Sequence, residues 1–200
     1  MPRPRRPWNA NIHYHDLVLQ EIAAGSARVL DVGCGDGILS AQLADVGVPH
    51  VIALDADAAV LERARARHHG NAIEWMHGDV FDAPLEPATF DAVVSVATLH
   101  HLDAERALRL FSQLVRPGGV VAVVGLARED WWMWPYAVLG FLARSVLGLA
   151  HGCWQHSAPM CWPPQLTYSQ VHALVQRLLP EARYRRHFLG RYSVIWRRAE

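Results

Sequence analysis

Cysteine is scarce: three occur in 200 residues, at Cys34, Cys153 and Cys161. An odd count without a tight pair excludes a disulfide framework. Cys153 and Cys161 lie near His151 and His156, but their spacing matches no ordinary zinc pattern, so no metal is expected. An excess of one charge is also missing. Lysine plus arginine and aspartate plus glutamate each number 19, which leaves no net charge. Without a global basic field, no nucleic-acid partner is expected. Arginines cluster only locally, at Arg3, Arg5 and Arg6 and again from Arg183 to Arg198. Those clusters read as a solvated tail and a solvated strand face. The amino-terminal stretch lacks the apolar run of a signal peptide, so a cytoplasmic location is expected. The apolar stretch Trp131 to Ala143, which Arg144 interrupts, is too short to read as a membrane span. The length suits one domain with a full core.

What is present centres on Val29-Leu30-Asp31-Val32-Gly33-Cys34-Gly35-Asp36-Gly37. Val29 to Val32 reads as a buried strand. Glycines follow at every second position, and a helical pattern begins at Ile38. Strand, glycine turn and helix in that order form the first unit of a doubly wound nucleotide-type fold. A pyrophosphate ligand fits poorly. The third glycine of the dinucleotide fingerprint would fall on Ile38, and Asp31 and Asp36 would set carboxylates near phosphates. A P-loop is excluded because no Gly-Lys-Ser/Thr follows. A cationic or zwitterionic nucleoside without phosphates tolerates those carboxylates.

The stretch resembles motif I of the class I S-adenosylmethionine-dependent methyltransferases, small-molecule branch. The resemblance continues in order to Leu126. A strand at His50 to Leu54 closes with Asp55, an acid placed to accept from both ribose hydroxyls. Asp57 reads as the N-cap of a helix from Ala58 to Arg67. A strand at Ile73 to His77 precedes Gly78-Asp79-Val80. There the resemblance implies that Asp79 accepts from the adenine amino group and that the Val80 amide reads a ring nitrogen; Asp82 is the alternative acid. Phe90 to Ala97 reads as a strand buried on both faces. Thr98-Leu99-His100-His101-Leu102 follows at its carboxyl end, where open α/β sheets place ligands. Asp103 then caps a helix to Val115. Arg116-Pro117-Gly118-Gly119 reads as a turn before a strand at Val120 to Gly125. The Asn/Asp-Pro-Pro-Tyr/Phe motif of the branch that methylates nucleic-acid amino groups is missing.

The resemblance implies an α/β fold, doubly wound, with a mostly parallel seven-stranded sheet whose last strand is antiparallel. Helices cover both faces, and an aromatic-rich insertion follows strand five. One domain spans residues 1–200, divided into a cap segment (1–25), a cofactor core (26–126), an insertion (127–166) and a closing helix and hairpin (167–200). The cap holds Trp8 to Asp16 and a helix from Asp16 to Ala24. The closing part holds a capping box at Thr167 and Gln170, a helix from Ser169 to Leu179, and strands at Arg183 to Phe188 and Arg191 to Arg197. The implied cofactor is S-adenosyl-L-methionine, with S-adenosyl-L-homocysteine as product and no metal. Its binding set is Asp31, Gly33, Gly35, Gly37, Asp55, Ala56, Asp79, Val80, Val96 and Tyr14.

The acceptor is expected to be a small aromatic or hydrophobic molecule, with Trp131, Trp132, Trp134 and Tyr136 in its pocket. The Trp131 to Ala143 segment also reads as a dimer contact or a membrane-surface helix, and the chain as monomer or homodimer. Candidate bases are His13, His15, His100 and His101. An imidazole base of ordinary pKa would give a rate that falls below about pH 6. Alternative readings are a cofactor-binding regulator without turnover, a nicotinamide oxidoreductase, and a methyltransferase of protein or RNA.

Overall fold

A computed structural model describes residues 8–22, 25–130 and 163–200. The strands are β1 (Arg28–Val32), β2 (His50–Asp55), β3 (Ile73–His77), β4 (Phe90–Val96), β5 (Val115–Gly125), β6 (Arg183–His187) and β7 (Arg191–Arg197). They form one sheet in the order β3-β2-β1-β4-β5-β7-β6. The β1 to β5 pairings are parallel, and β7 runs antiparallel to both β5 and β6. The order reverses at β1, beside β4. A crevice opens at such a switch point beyond the carboxyl ends of the strands.

The helices are α1 (His15–Glu21), α2 (Ile38–Asp45), α3 (Ala58–Arg67), α4 (Ala104–Leu114) and α5 (Tyr168–Leu178). Alternation along each strand sends neighbouring residues to opposite faces. Leu30, Ile52, Val93 and Val121 pack with Leu108 and Phe111 of α4 and Val171 of α5. Val29, Val51, Val94 and Val120 pack with Val18 of α1 and Leu39 and Leu43 of α2. Both faces are covered, which is why the central strands are apolar without a break. Among the described residues, no helix is long and apolar enough to cross a membrane.

Most helix boundaries lie within a residue of the sequence expectation, the ordinary margin for fraying ends. Asp57 caps α3 through the Ala59 and Val60 amides, and Thr167 and Gln170 form the capping box of α5. Two differences have local causes. The amino-terminal helix starts early, as a 3-10 turn at Ile12–Tyr14, because Asn9 Oδ1 accepts from the Asn11 and Ile12 amides. It also stops at Glu21 rather than Ala24.

The second difference is at Arg116 to Gly119. These residues are a bulge inside β5 and not a turn before it, since the register passes from Phe90↔Val115 to Ala92↔Val120. Asp91 holds the bulge: it accepts from Arg116 and, on its other oxygen, from the Ala27 and Arg28 amides.

Candidate functional site

The glycine turn between β1 and α2 is shaped by close packing on one side and open space on the other. A Cβ at Gly37 would lie 2.5 Å from the Trp75 ring. A Cβ at Gly35 would meet nothing within 4 Å, and the residue sits at φ +53°. The turn therefore presents bare backbone to a cavity. Asp55, at the end of β2, binds this turn: its Oδ2 accepts from the Gly35 amide at 2.8 Å and its Oδ1 from the Asp57 amide at 2.9 Å. A carboxylate has about four lone-pair positions, so capacity for further donors remains.

Asp31 lies beneath the turn, 1% exposed, and accepts from Ser40 Oγ at 2.6 Å. Burial pushes its carboxyl up to about 7 against the opposing Ser40 hydrogen bond, and the nearby Asp55 charge adds to the rise. Asp36 is buried and pairs with Arg67 at 3.3 Å. Burial pushes the Cys34 thiol far up, and the Asp31 and Asp55 charges add to this, so its thiolate is disfavoured although the residue lines the cavity.

The cavity over the turn has a volume of about 800 Å³. Gly33, Gly35, Asp55, Ala56, Asp79, Val80 and Val96 all line it, with Asp31. Gly37 does not line it; that glycine gives the chain its close approach to Trp75. Asp79 is exposed and accepts from the Phe81 amide at 2.9 Å. Asp82, the alternative acid, does not line the cavity.

The candidate histidines separate. His15, His100 and His101 line the cavity, and His13 does not. The His13 ring instead sits edge-on to Trp8 at 6.3 Å and to Tyr14 at 4.9 Å. Tyr14 is also absent from the cavity wall: its ring packs on His187 at 4.8 Å and its hydroxyl accepts from the Leu189 amide. Tyr14 fixes the cap segment to the β6–β7 hairpin, and His13 packs within the cap. His15 is buried, its Nδ1 lies 2.7 Å from Gln42 Oε1, and burial holds its pKa down.

His100 and His101 form a 3-10 turn with Leu99 after β4, their rings 4.1 Å apart. Burial, then the neighbouring His101 and Arg191, bring His100 down to about 4. Its Nδ1 is buried without a hydrogen-bond partner among the described residues. A second cavity of about 510 Å³ shares His100, His101, Leu102 and Leu126 with the first. Leu99, Leu166, Val171, Leu174 and Tyr192 give it an apolar wall.

Asn9, Asn11 and Arg191 line the main cavity without being among the expected site residues, and Thr98 lines it from the run expected at the end of β4. Arg191 belongs to an arginine cluster that reads as solvated, yet it is 9% exposed. No local pattern marks it, because its burial depends on the cap segment folding over the hairpin. Trp131, Trp132, Trp134, Tyr136, Cys153 and Cys161 lie outside the described residues. Among those described, no three metal-ligating side chains come together.

A family model described as a methyltransferase domain matches residues 30–123. The chain is 44% identical over 193 residues to an uncharacterized methyltransferase of Mycobacterium bovis, covering 96% of this chain and 98% of that one. It is 37% identical over 126 residues to a ubiquinone biosynthesis O-methyltransferase of Methylocella silvestris, covering 62% of this chain and 48% of that protein. A similar solved structure is an S-adenosylmethionine-dependent methyltransferase from Mesorhizobium loti, with TM-score 0.61 and 19% identity over 91% of this chain and 96% of that one.

Proposed function

We propose a reaction for this chain, which belongs to the class I S-adenosylmethionine-dependent methyltransferases: methyl transfer to a small aromatic or hydrophobic acceptor. S-adenosylmethionine supplies an activated methyl group on a sulfonium and leaves as S-adenosylhomocysteine. The observation that carries the reading is the cradle at Gly35, open on the cavity side and held by Asp55. A side chain there would fill the space that the cofactor needs. The donor chemistry also fits. Asp55 keeps lone pairs for two ribose hydroxyls, and Asp79, with the Val80 amide, suits the adenine edge. Ala56 and Val96 supply apolar wall beside them. Asp31 offers a carboxyl oxygen under the turn as a hydrogen-bond acceptor. Tyr14 contributes by holding the cap segment, not by contact.

The acceptor side is assigned to the shared wall of the two cavities. Leu102, Leu126 and the apolar lining of the second cavity support an aromatic or hydrophobic body. The name of the Methylocella silvestris relative, ubiquinone biosynthesis O-methyltransferase, supports the same class. Trp131, Trp132, Trp134 and Tyr136 would complete this pocket from the insertion. His100 is the preferred base among the histidines. Burial keeps its ring neutral at ordinary pH and makes it a weak base, so it takes the proton of an acceptor hydroxyl or amine as the new bond to the methyl group makes that proton acidic. The remaining rate enhancement comes from holding the acceptor in line and excluding water.

Calorimetric titration of Asp55→Ala with S-adenosylmethionine tests the cofactor half. Loss of a charged hydrogen-bond acceptor corresponds to about ten-fold weaker binding or more. Unchanged affinity in a folded variant sinks the ribose assignment. A screen of phenols, quinols and amines with methyl-labelled cofactor tests the acceptor half. Label found only on peptide or RNA would overturn the small-molecule reading.

A further inference from the structure

The cavity over the glycine turn is rich in acid. Asp31, Asp36, Asp55, Asp57 and Asp79 all line it. Such a wall suits a sulfonium, an ammonium, hydroxyls and an exocyclic amine. It opposes a carboxylate unless a fixed cation stands nearby. The sequence contains no lysine, so that cation must be an arginine. Among the described residues lining the cavity, Arg191 is the one arginine.

Arg191 opens β7, next to the Tyr192↔Gly125 pair at the carboxyl end of β5. In the sheet order it stands at the opposite end of the cavity from Asp55 and Asp79, with β1, β4 and β5 between. A nucleoside seated on those two acids directs its amino-acid tail across the glycine turn toward the arginine. The guanidinium is held for such a role. Nε donates to Asn11 Oδ1 at 2.9 Å, and Nη1 donates to the carbonyls of Leu189 at 3.3 Å and Gly190 at 3.0 Å. These acceptors are neutral, and they orient the planar fork. Burial makes that charge act strongly on a neighbouring anion.

We propose that Arg191 binds the methionyl carboxylate of the cofactor. This inference rests on the reading that the cavity takes S-adenosylmethionine, and the test separates the two. Wild type and Arg191→Met are titrated calorimetrically with S-adenosylhomocysteine and with 5′-methylthioadenosine, which keeps the nucleoside and thioether but lacks the amino-acid tail. The expected result for Arg191→Met is a loss of about ten-fold or more for S-adenosylhomocysteine, with 5′-methylthioadenosine within about three-fold of wild type. An unchanged ratio of the two affinities, or equal loss of both, overturns the proposal.

A wild-type protein that binds neither ligand overturns the cofactor reading itself. Should Arg191→Met fail to fold, the wild-type Arg191 Nε–H NMR signal decides. It should move on saturation with S-adenosylhomocysteine and stay with 5′-methylthioadenosine; identical spectra for the two ligands overturn the proposal.

Discussion

His100 and Asp31 show how burial changes what a residue type predicts. An ordinary imidazole would lose its base form below about pH 6. His100 is brought down to about 4, first by burial. Its neutral form therefore persists through the range in which a free histidine protonates. With a true acceptor, kcat should stay level from about pH 6 to pH 8 and fall only toward about pH 4. His100→Ala should lower kcat by about 10²–10⁴ with cofactor affinity within a few-fold. A wild-type profile that breaks near pH 6.5 removes His100 as the base.

Asp31 shifts the other way. Its folded pKa of about 7 lies above the ordinary aspartate value of 3.8, so the folded chain holds a proton that the unfolded chain releases. Stability contributed by that proton is present at low pH and is lost as pH rises toward 7. Asp31→Asn should therefore gain on wild type by more than about 1 kcal/mol between pH 5 and pH 8 in urea unfolding. A constant difference at the two pH values would contradict the buried, protonated carboxyl.

Elements carry these residues to the cavity. The antiparallel pairing of β5 with β7 places Tyr192 opposite Gly125. A Cβ at Gly125 would collide with the Tyr192 ring. Gly125→Ala should cost about 1–3 kcal/mol of stability by overpacking. It should also loosen the start of β7 that presents Arg191. Thermal unfolding checks the first effect. Stability equal to wild type would mean that the hairpin shifts freely. The same logic explains why the helix starts were readable. Asp57, Asp103 and Thr167 cap through residues two or three positions ahead, within one turn of chain.

At the scale of the whole molecule, the cavity joins segments far apart in sequence: the cap segment, the turns after β1, β2 and β4, and the β6–β7 hairpin. A ligand that bridges them stabilises the folded state by mass action. At one hundred times its dissociation constant, S-adenosylhomocysteine should add about 2.7 kcal/mol, read as a rise of several degrees in Tm. An unmoved Tm at saturating ligand argues that the unfolded chain or another state takes it equally well.

The positions of the strands along the chain, the glycine turn, Asp55 and the helix caps were legible in the sequence, because each depends on neighbours a few residues away or on a periodic apolar pattern. Gly35 and Asp55 could be singled out for that reason, and the structure joins them by a hydrogen bond. The roles of His13, Tyr14 and Arg191 were not legible. Nothing local distinguishes His13 from His15, yet one packs on Trp8 and Tyr14 while the other reaches the cavity wall. Nothing local distinguishes Arg191 from the solvated arginines around it. Its burial and its bond to Asn11 join residues 180 positions apart. Local chemistry decided which strands, turns and caps form; only the closing of the cap segment against the hairpin decided which of their own side chains face the cavity, because that contact has no sequence period.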